Sequence, residues 1–182
     1  MKIAFTPKVA YRMIDRAKRT FFRYPHRSVS YDWKKLLAKL QVFIVINPRL
    51  KTTAGCAAFV RTRSAQRLFD IPKEFKPTLV DNVLGYFIME INPKLVVGNC
   101  PAQVYDTLSH ELAHCLDFKI RGYYGKNEAD YHDAFWCFLH KRMGGNGEQF
   151  IDAGFLFPKA RRVAKAAKKV KENFKTVDIK DL

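Results

Sequence analysis

One pentapeptide constrains this chain more than any other feature: His110-Glu111-Leu112-Ala113-His114, an H-E-x-x-H pattern. Histidines four apart share one face of an α-helix, so both rings reach a single metal ion if the segment is helical. The flanking sequence supplies that helix. Pro101 suits a first helical turn, Leu108, Leu112, Cys115 and Leu116 form an apolar side, and Gly122 follows the end. The spacing predicts a helix from 101 to about 120. With five histidines in 182 residues, about 0.004 such patterns are expected by chance. Glu111 is too close along the helix to serve easily as a third ligand. It is well placed to take a proton from water activated by the metal.

An open catalytic zinc site needs a third protein ligand. His132, Phe135, Trp136, Leu139 and Met143 recur at helical spacing and predict an inward stripe, stopped by Gly144-Gly145. His132 is the favoured third ligand, and Glu128 in the preceding glycine-containing loop is the alternative. His26 is expected at the surface; His140, eight positions after His132, is expected there too, with a contact to the metal site or the substrate as the alternative. Asp106 and Asp117, four residues before His110 and three after His114, can each orient an imidazole; a solvated helix face explains both as well. Tyr123, Tyr124 and Tyr131 are candidate oxyanion donors.

Elsewhere the period alternates between helix and strand. Ala10, Ile14, Ala17 and Phe21 predict an amphipathic helix over 8–23. Ser30 can cap a second helix with Trp33, Leu36, Leu37 and Leu40 as its stripe. Residues 41–46, 55–60 and 83–91 read as strands, the last with Phe87, Met89 and Ile91 on one face. Residues 61–79 are polar, carry Pro72 and Pro77, and read as a loop.

The cysteines, Cys56, Cys100, Cys115 and Cys137, never fall at C-x-x-C spacing, which suggests neither a zinc ribbon nor a redox pair and fits a reducing compartment. Charges throughout Met1 to Arg19 leave no apolar core for a signal peptide, and no run is long enough to span a bilayer. A cytoplasmic protein without a membrane partner is expected. The net charge of +16 and pI of about 9.8 point to a polyanionic partner, DNA first. Residues 158–175 read as a helix with a thin stripe of Val163, Ala167, Val170 and Phe174, bearing eight Lys or Arg against Glu172. In this basic segment, 151–182, Arg161, Arg162, Lys165, Lys168 and Lys169 are the expected nucleic-acid contacts. Residues 1–150 form the domain.

Three stretches together resemble the SprT-like metallopeptidase family. They are Ala54-Gly55-Cys56 through Ile91-Asn92-Pro93-Lys94-Leu95, then Thr107-Leu108-Ser109 with the H-E-x-x-H, then His132-Asp133-Ala134-Phe135-Trp136. The resemblance covers about residues 8–145. It implies an α+β, zincin-like domain: a small, mostly antiparallel sheet packed with helices, one of which carries the H-E-x-x-H. It further implies Zn²⁺ on His110, His114 and His132, Glu111 as catalytic base, and DNA-stimulated cleavage of proteins at nucleic acid. Two features depart from the family pattern. There is no C-x-x-C for a C-terminal zinc ribbon, and Asp133 stands where glycine often follows the third histidine. The expected function is a zinc endopeptidase for proteins bound to or crosslinked on DNA. The other readings are a nucleic-acid-binding module with non-catalytic zinc, and a general peptidase without DNA dependence.

Overall fold

A helix cap opens the first described segment. In the computed structural model, which describes residues 6–23, 32–50, 53–92, 101–122, 132 and 134–145, Thr6 precedes helix α1 (Pro7–Phe21) and its hydroxyl accepts the Val9 N–H at 3.3 Å. Pro7 lacks only an N–H that the first turn would leave unbonded. The buried residues of α1 are Ala10, Ile14, Ala17 and Phe21, the predicted stripe. Helix α2 (Trp33–Lys39) is capped by Asp32, whose carboxylate accepts the Lys35 N–H at 3.0 Å. This corrects the expected cap: Asp32 immediately precedes the helix, whereas Ser30 lies outside the described residues.

Four strands follow: β1 (Val42–Ile46), β2 (Gly55–Arg61), β3 (Thr78–Val80) and β4 (Val83–Ile91). The sheet is mixed. β4 pairs with β2 and β3 antiparallel and with β1 in parallel. Gly85 pairs with both Arg61 and Thr78. β3 therefore occupies the edge of β4 opposite β2, which β1 takes further along. Asp81 and Asn82 join β3 to β4 with φ of 49° and 61°, the double left-handed pair that a two-residue hairpin turn requires.

Strand alternation divides the apolar residues between two faces. Phe87, Met89 and Ile91 of β4, with Val42 and Ile44 of β1, join the large core with α1 and the long helix α4 (Pro101–Arg121). Tyr86 and Ile88 point the other way, onto Ala65 of helix α3 (Thr62–Leu68). This helix and β3 lie inside the stretch expected to be a loop. Among the residues of α3 only Ala65 is buried, so no apolar stripe announces it. Its strong helix formers, Arg63, Ala65, Gln66, Arg67 and Leu68, carry the tendency instead.

Helix α4 is the spine of the core, burying Leu108, Leu112, Cys115, Leu116 and Phe118. It ends at Gly122, whose φ of 81° and N–H to the Phe118 carbonyl at 3.0 Å form a left-handed cap. Helix α5 (Ala134–Arg142) packs on it through Trp136 and Leu139 and gives way to Gly144, also left-handed at φ 81°. Among the described residues no helix is long and apolar enough to cross a membrane.

Candidate metal centre

Helix α4 places His110 and His114 one turn apart, and α5 brings in the third ring. His132 stands in a turn just before α5, not on its expected first turn. Its ring still faces inward. The Nε2 atoms of the three histidines form a triangle with sides of 3.0, 3.2 and 3.3 Å. Ligands on a tetrahedral zinc at about 2.1 Å would lie about 3.4 Å apart. The triangle therefore matches a small tetrahedral cation.

The donor chemistry agrees. Desolvation, followed by the neighbouring imidazoles of His114, His132 and His140, holds His110 well below its ordinary pKa. A neutral ring with a free lone pair is the form that binds metal. A divalent charge at the centre of the triangle would remove the lone-pair crowding.

Trp136 forms the floor of this cluster. It is buried, and its ring centroid lies 4.5 Å from those of His110 and His132 and 5.1 Å from that of His114. The sequence marks it only as a core residue. Its place four positions after His132, on the same helical side, is the signal that connects it to the site.

Glu111, next in sequence to His110, lies against the sheet. Its carboxylate lies against Gly55 at the start of β2 and accepts a hydrogen bond from the Ala57 backbone N–H. A Cβ on residue 55 would approach Glu111 Cγ to 2.9 Å, Oε1 to 3.0 Å and Cδ to 3.2 Å. Gly55 thus leaves the space that the carboxylate fills. The adjoining strand end is fixed by the Asn92 N–H, which donates to the Ala54 carbonyl at 2.9 Å. Burial pushes the Glu111 carboxyl up to about 8, against the smaller opposing effect of the Ala57 N–H.

Three polar residues are buried, so a surface or solvated-face reading is excluded for each. His140 is buried, 1% exposed, because it sits on the inner side of α5 against Trp136 and 5.5 Å from the His110 ring. Its Nε2 lies 3.3 Å from Asp106 Oδ1 on α4. Asp106 is buried too, so this pair lies between α4, which carries His110 and His114, and α5, which follows His132. Asp117 is buried and accepts from Arg121 Nε and, at 2.6 Å, Nη2. Neither aspartate is on a solvated face. Sequence spacing shows the distance along a helix; which helix covers it is a tertiary fact.

His26, Tyr123, Tyr124, Glu128, Tyr131 and Asp133 lie outside the described residues, as do Arg161, Arg162, Lys165, Lys168 and Lys169. Among the described residues His110, His114 and His132 form a group whose ligand atoms all lie within 4.8 Å of one another. The sequence pattern of the SprT-like family matches residues 10–154. No curated protein and no solved structure matches the chain.

Proposed function

The chain belongs to the SprT-like family, and from that premise we propose that it is a zinc-dependent endopeptidase of zincin type, acting on proteins bound to or crosslinked on DNA. The observation that carries the reading is the imidazole triangle, with the buried carboxyl of Glu111 next in sequence to one of its members. His110, His114 and His132 would hold Zn²⁺, and a zinc ion there would supply Lewis-acid activation of water and of the scissile carbonyl. Glu111 takes the proton of the attacking water and delivers it to the leaving amine. Near a divalent cation the local logic of its ionisation reverses, and a carboxyl raised by burial alone is drawn back toward its charged form. Gly55 and the Ala57 N–H fix where that carboxylate stands. Trp136 and the Asp106–His140 pair hold α5 to α4, and with it the third ligand to the first two.

DNA enters this reading through charge, since a domain and tail with a net +16 attract a polyanion. The test is metal analysis together with casein and histone cleavage, with and without DNA, for wild type and Glu111→Gln. About one zinc per chain is expected in both proteins. Cleavage should be stimulated by DNA in wild type and lost in the variant by about 10² to 10⁴-fold. Cleavage indifferent to DNA would favour a general peptidase. Zinc without cleavage in either protein would favour a binding module.

A further inference from the structure

The positive charge of this domain is not spread evenly. Residues 1–50 hold 12 Lys or Arg against two Asp, whereas residues 101–150 hold five against seven acids. The excess therefore belongs to α1 and α2, not to the helices of the metal centre. On α1 it is ordered further. Lys8, Arg12, Arg16 and Arg19, with Arg23 just past the helix end, follow spacings of four, four, three and four. At 100° per residue these five fall within one narrow arc, directly opposite the buried stripe of Ala10, Ile14, Ala17 and Phe21. All five are exposed. Lys34, Lys35 and Lys39 of α2 are exposed as well, and the Phe21–Trp33 ring contact at 5.0 Å sets α2 beside the end of α1.

A solvated helix face ordinarily mixes signs, because opposite charges four apart stabilise the helix and like charges destabilise it. Here Lys8–Arg12, Arg12–Arg16 and Arg19–Arg23 are like pairs four apart, and Asp15 is the one acid within α1. Lys8 also lies in the first turn, where the helix dipole disfavours a cation. None of Lys8, Arg12, Arg19 and Arg23 joins an ion pair among the described residues. Asp15 four before Arg19, and Lys18 and Arg19 in the last turn, favour the helix, but the like pairs are left unbalanced, and an external polyanion would relieve their repulsion.

We propose that the outer face of α1, continued by α2, is a docking surface for the phosphodiester backbone of a nucleic acid. Consecutive cations along the stripe rise by about 4.5 to 6 Å, a ladder that a charged backbone can follow over about 20 Å. Four of the five residues are arginines, whose planar forks match phosphate oxygens in pairs. Arg16 is partly held in place over the Tyr105 ring at 5.0 Å. An anionic membrane is the poorer fit, because α1 itself bears no large exposed apolar residue and only Phe22, just past its end, is exposed there, whereas insertion needs an apolar face. The inference deepens the nucleic-acid part of the function proposed above and rests on it. Its measurement uses no catalysis, so failure of the peptidase reading and failure of this one are told apart.

The experiment compares two full-length variants in the Glu111→Gln background. One carries Lys8, Arg12, Arg19 and Arg23→Gln. The other carries Arg63, Arg67, Lys73 and Lys76→Gln, four exposed cations on and beside α3, across the sheet from α1. Binding of a labelled 20-base-pair duplex is titrated by anisotropy at 50 and 200 mM salt, with phosphatidylserine vesicles as a second probe. The α1 variant should bind DNA more weakly, and its log–log salt slope should shrink by up to about 3.6, near 0.9 for each of four lost phosphate contacts. The α3 variant should keep most of the slope, and the vesicles should bind neither protein appreciably. Equal losses in the two variants would overturn the proposal in favour of net charge alone. An unchanged slope in the α1 variant, or vesicle binding without DNA binding, would overturn it too. Thermal melting checks the fold. If the quadruple variant melts early, the pairs Lys8/Arg12→Gln and Arg19/Arg23→Gln should each remove about half of the effect.

Discussion

The metal corner and the α1 face obey opposite physics. At the corner, ionisable groups are taken out of water: Glu111, His114, Asp106 and His140 are all buried. Burial raises the Glu111 carboxyl, and burial with the neighbouring imidazoles lowers His110. Small displacements there change chemistry. On α1 the cations stay in water and act by number, spacing and sign, so their effects are graded and depend on salt. A chain that joins the two can alter where it binds without disturbing how it reacts, provided the two are energetically independent.

The strongest test of that independence is removal of a metal ligand. His132→Ala should strip zinc and abolish cleavage while leaving duplex affinity within about twofold, the range expected for distant sites that do not couple. Metal content and anisotropy read the two halves separately. If Glu128→Ala removes zinc and His132→Ala does not, the third ligand is misassigned.

Acidity gives the next largest effect, in metal-free protein. The folded Glu111 carboxyl titrates near 8 instead of 4.5, so the fold holds a proton that the unfolded chain gives up more readily. Its stabilising contribution is complete below the ordinary value and is lost as pH rises toward 8. Glu111→Gln cannot ionise. With chelator present, its stability relative to wild type should rise between pH 5 and 8, by up to roughly 5 kcal/mol. Urea melts at several pH values measure this. A constant difference would mean that the carboxylate is already ionised in the metal-free fold.

A smaller effect is expected from Gly55→Ala. The new methyl must displace the Glu111 carboxylate by some tenths of an ångström or more. We expect kcat to fall by up to about 10²-fold, with zinc content and DNA binding unchanged. Adding the change to Glu111→Gln should cost nothing further, because the displaced group is already inactive. An independent loss in that double variant would assign Gly55 to packing alone. The smallest effect on the metal corner should come from truncation after Pro158. Zinc and basal cleavage should stay at wild-type levels while the DNA salt slope falls. An unchanged slope would leave the whole of the basic function to the domain.

Much of this division is legible in the sequence, and for local reasons. The H-E-x-x-H helix, its apolar side and its glycine stop are relations among near neighbours, and α4 reproduces them. The stripe of α1 and the alternation of β4 are legible in the same way. Helix α3 is not, since a helix that buries only Ala65 leaves no periodic trace. Nor is the burial of His140, because nothing in its own helix says that Asp106, 34 positions earlier, will lie opposite. The approach of Gly55 to Glu111 is likewise invisible until the sheet is built, although a glycine opening a strand can mark close passage of another group.

The indole beneath the histidines has an optical consequence. The chain has two tryptophans. Trp136 lies within about 5 Å of all three imidazoles, whereas Trp33 packs on Phe21 and Phe138 away from the triangle. Excited indoles lose emission to protonated imidazoles nearby and respond to charge placed beside them. Loading the site and protonating it should therefore change the emission of Trp136 in distinct ways. With Trp33→Phe, the remaining fluorophore becomes a reporter that needs no label and no substrate: it reads the occupancy of the triangle directly, in the dark interval before any peptide is cut.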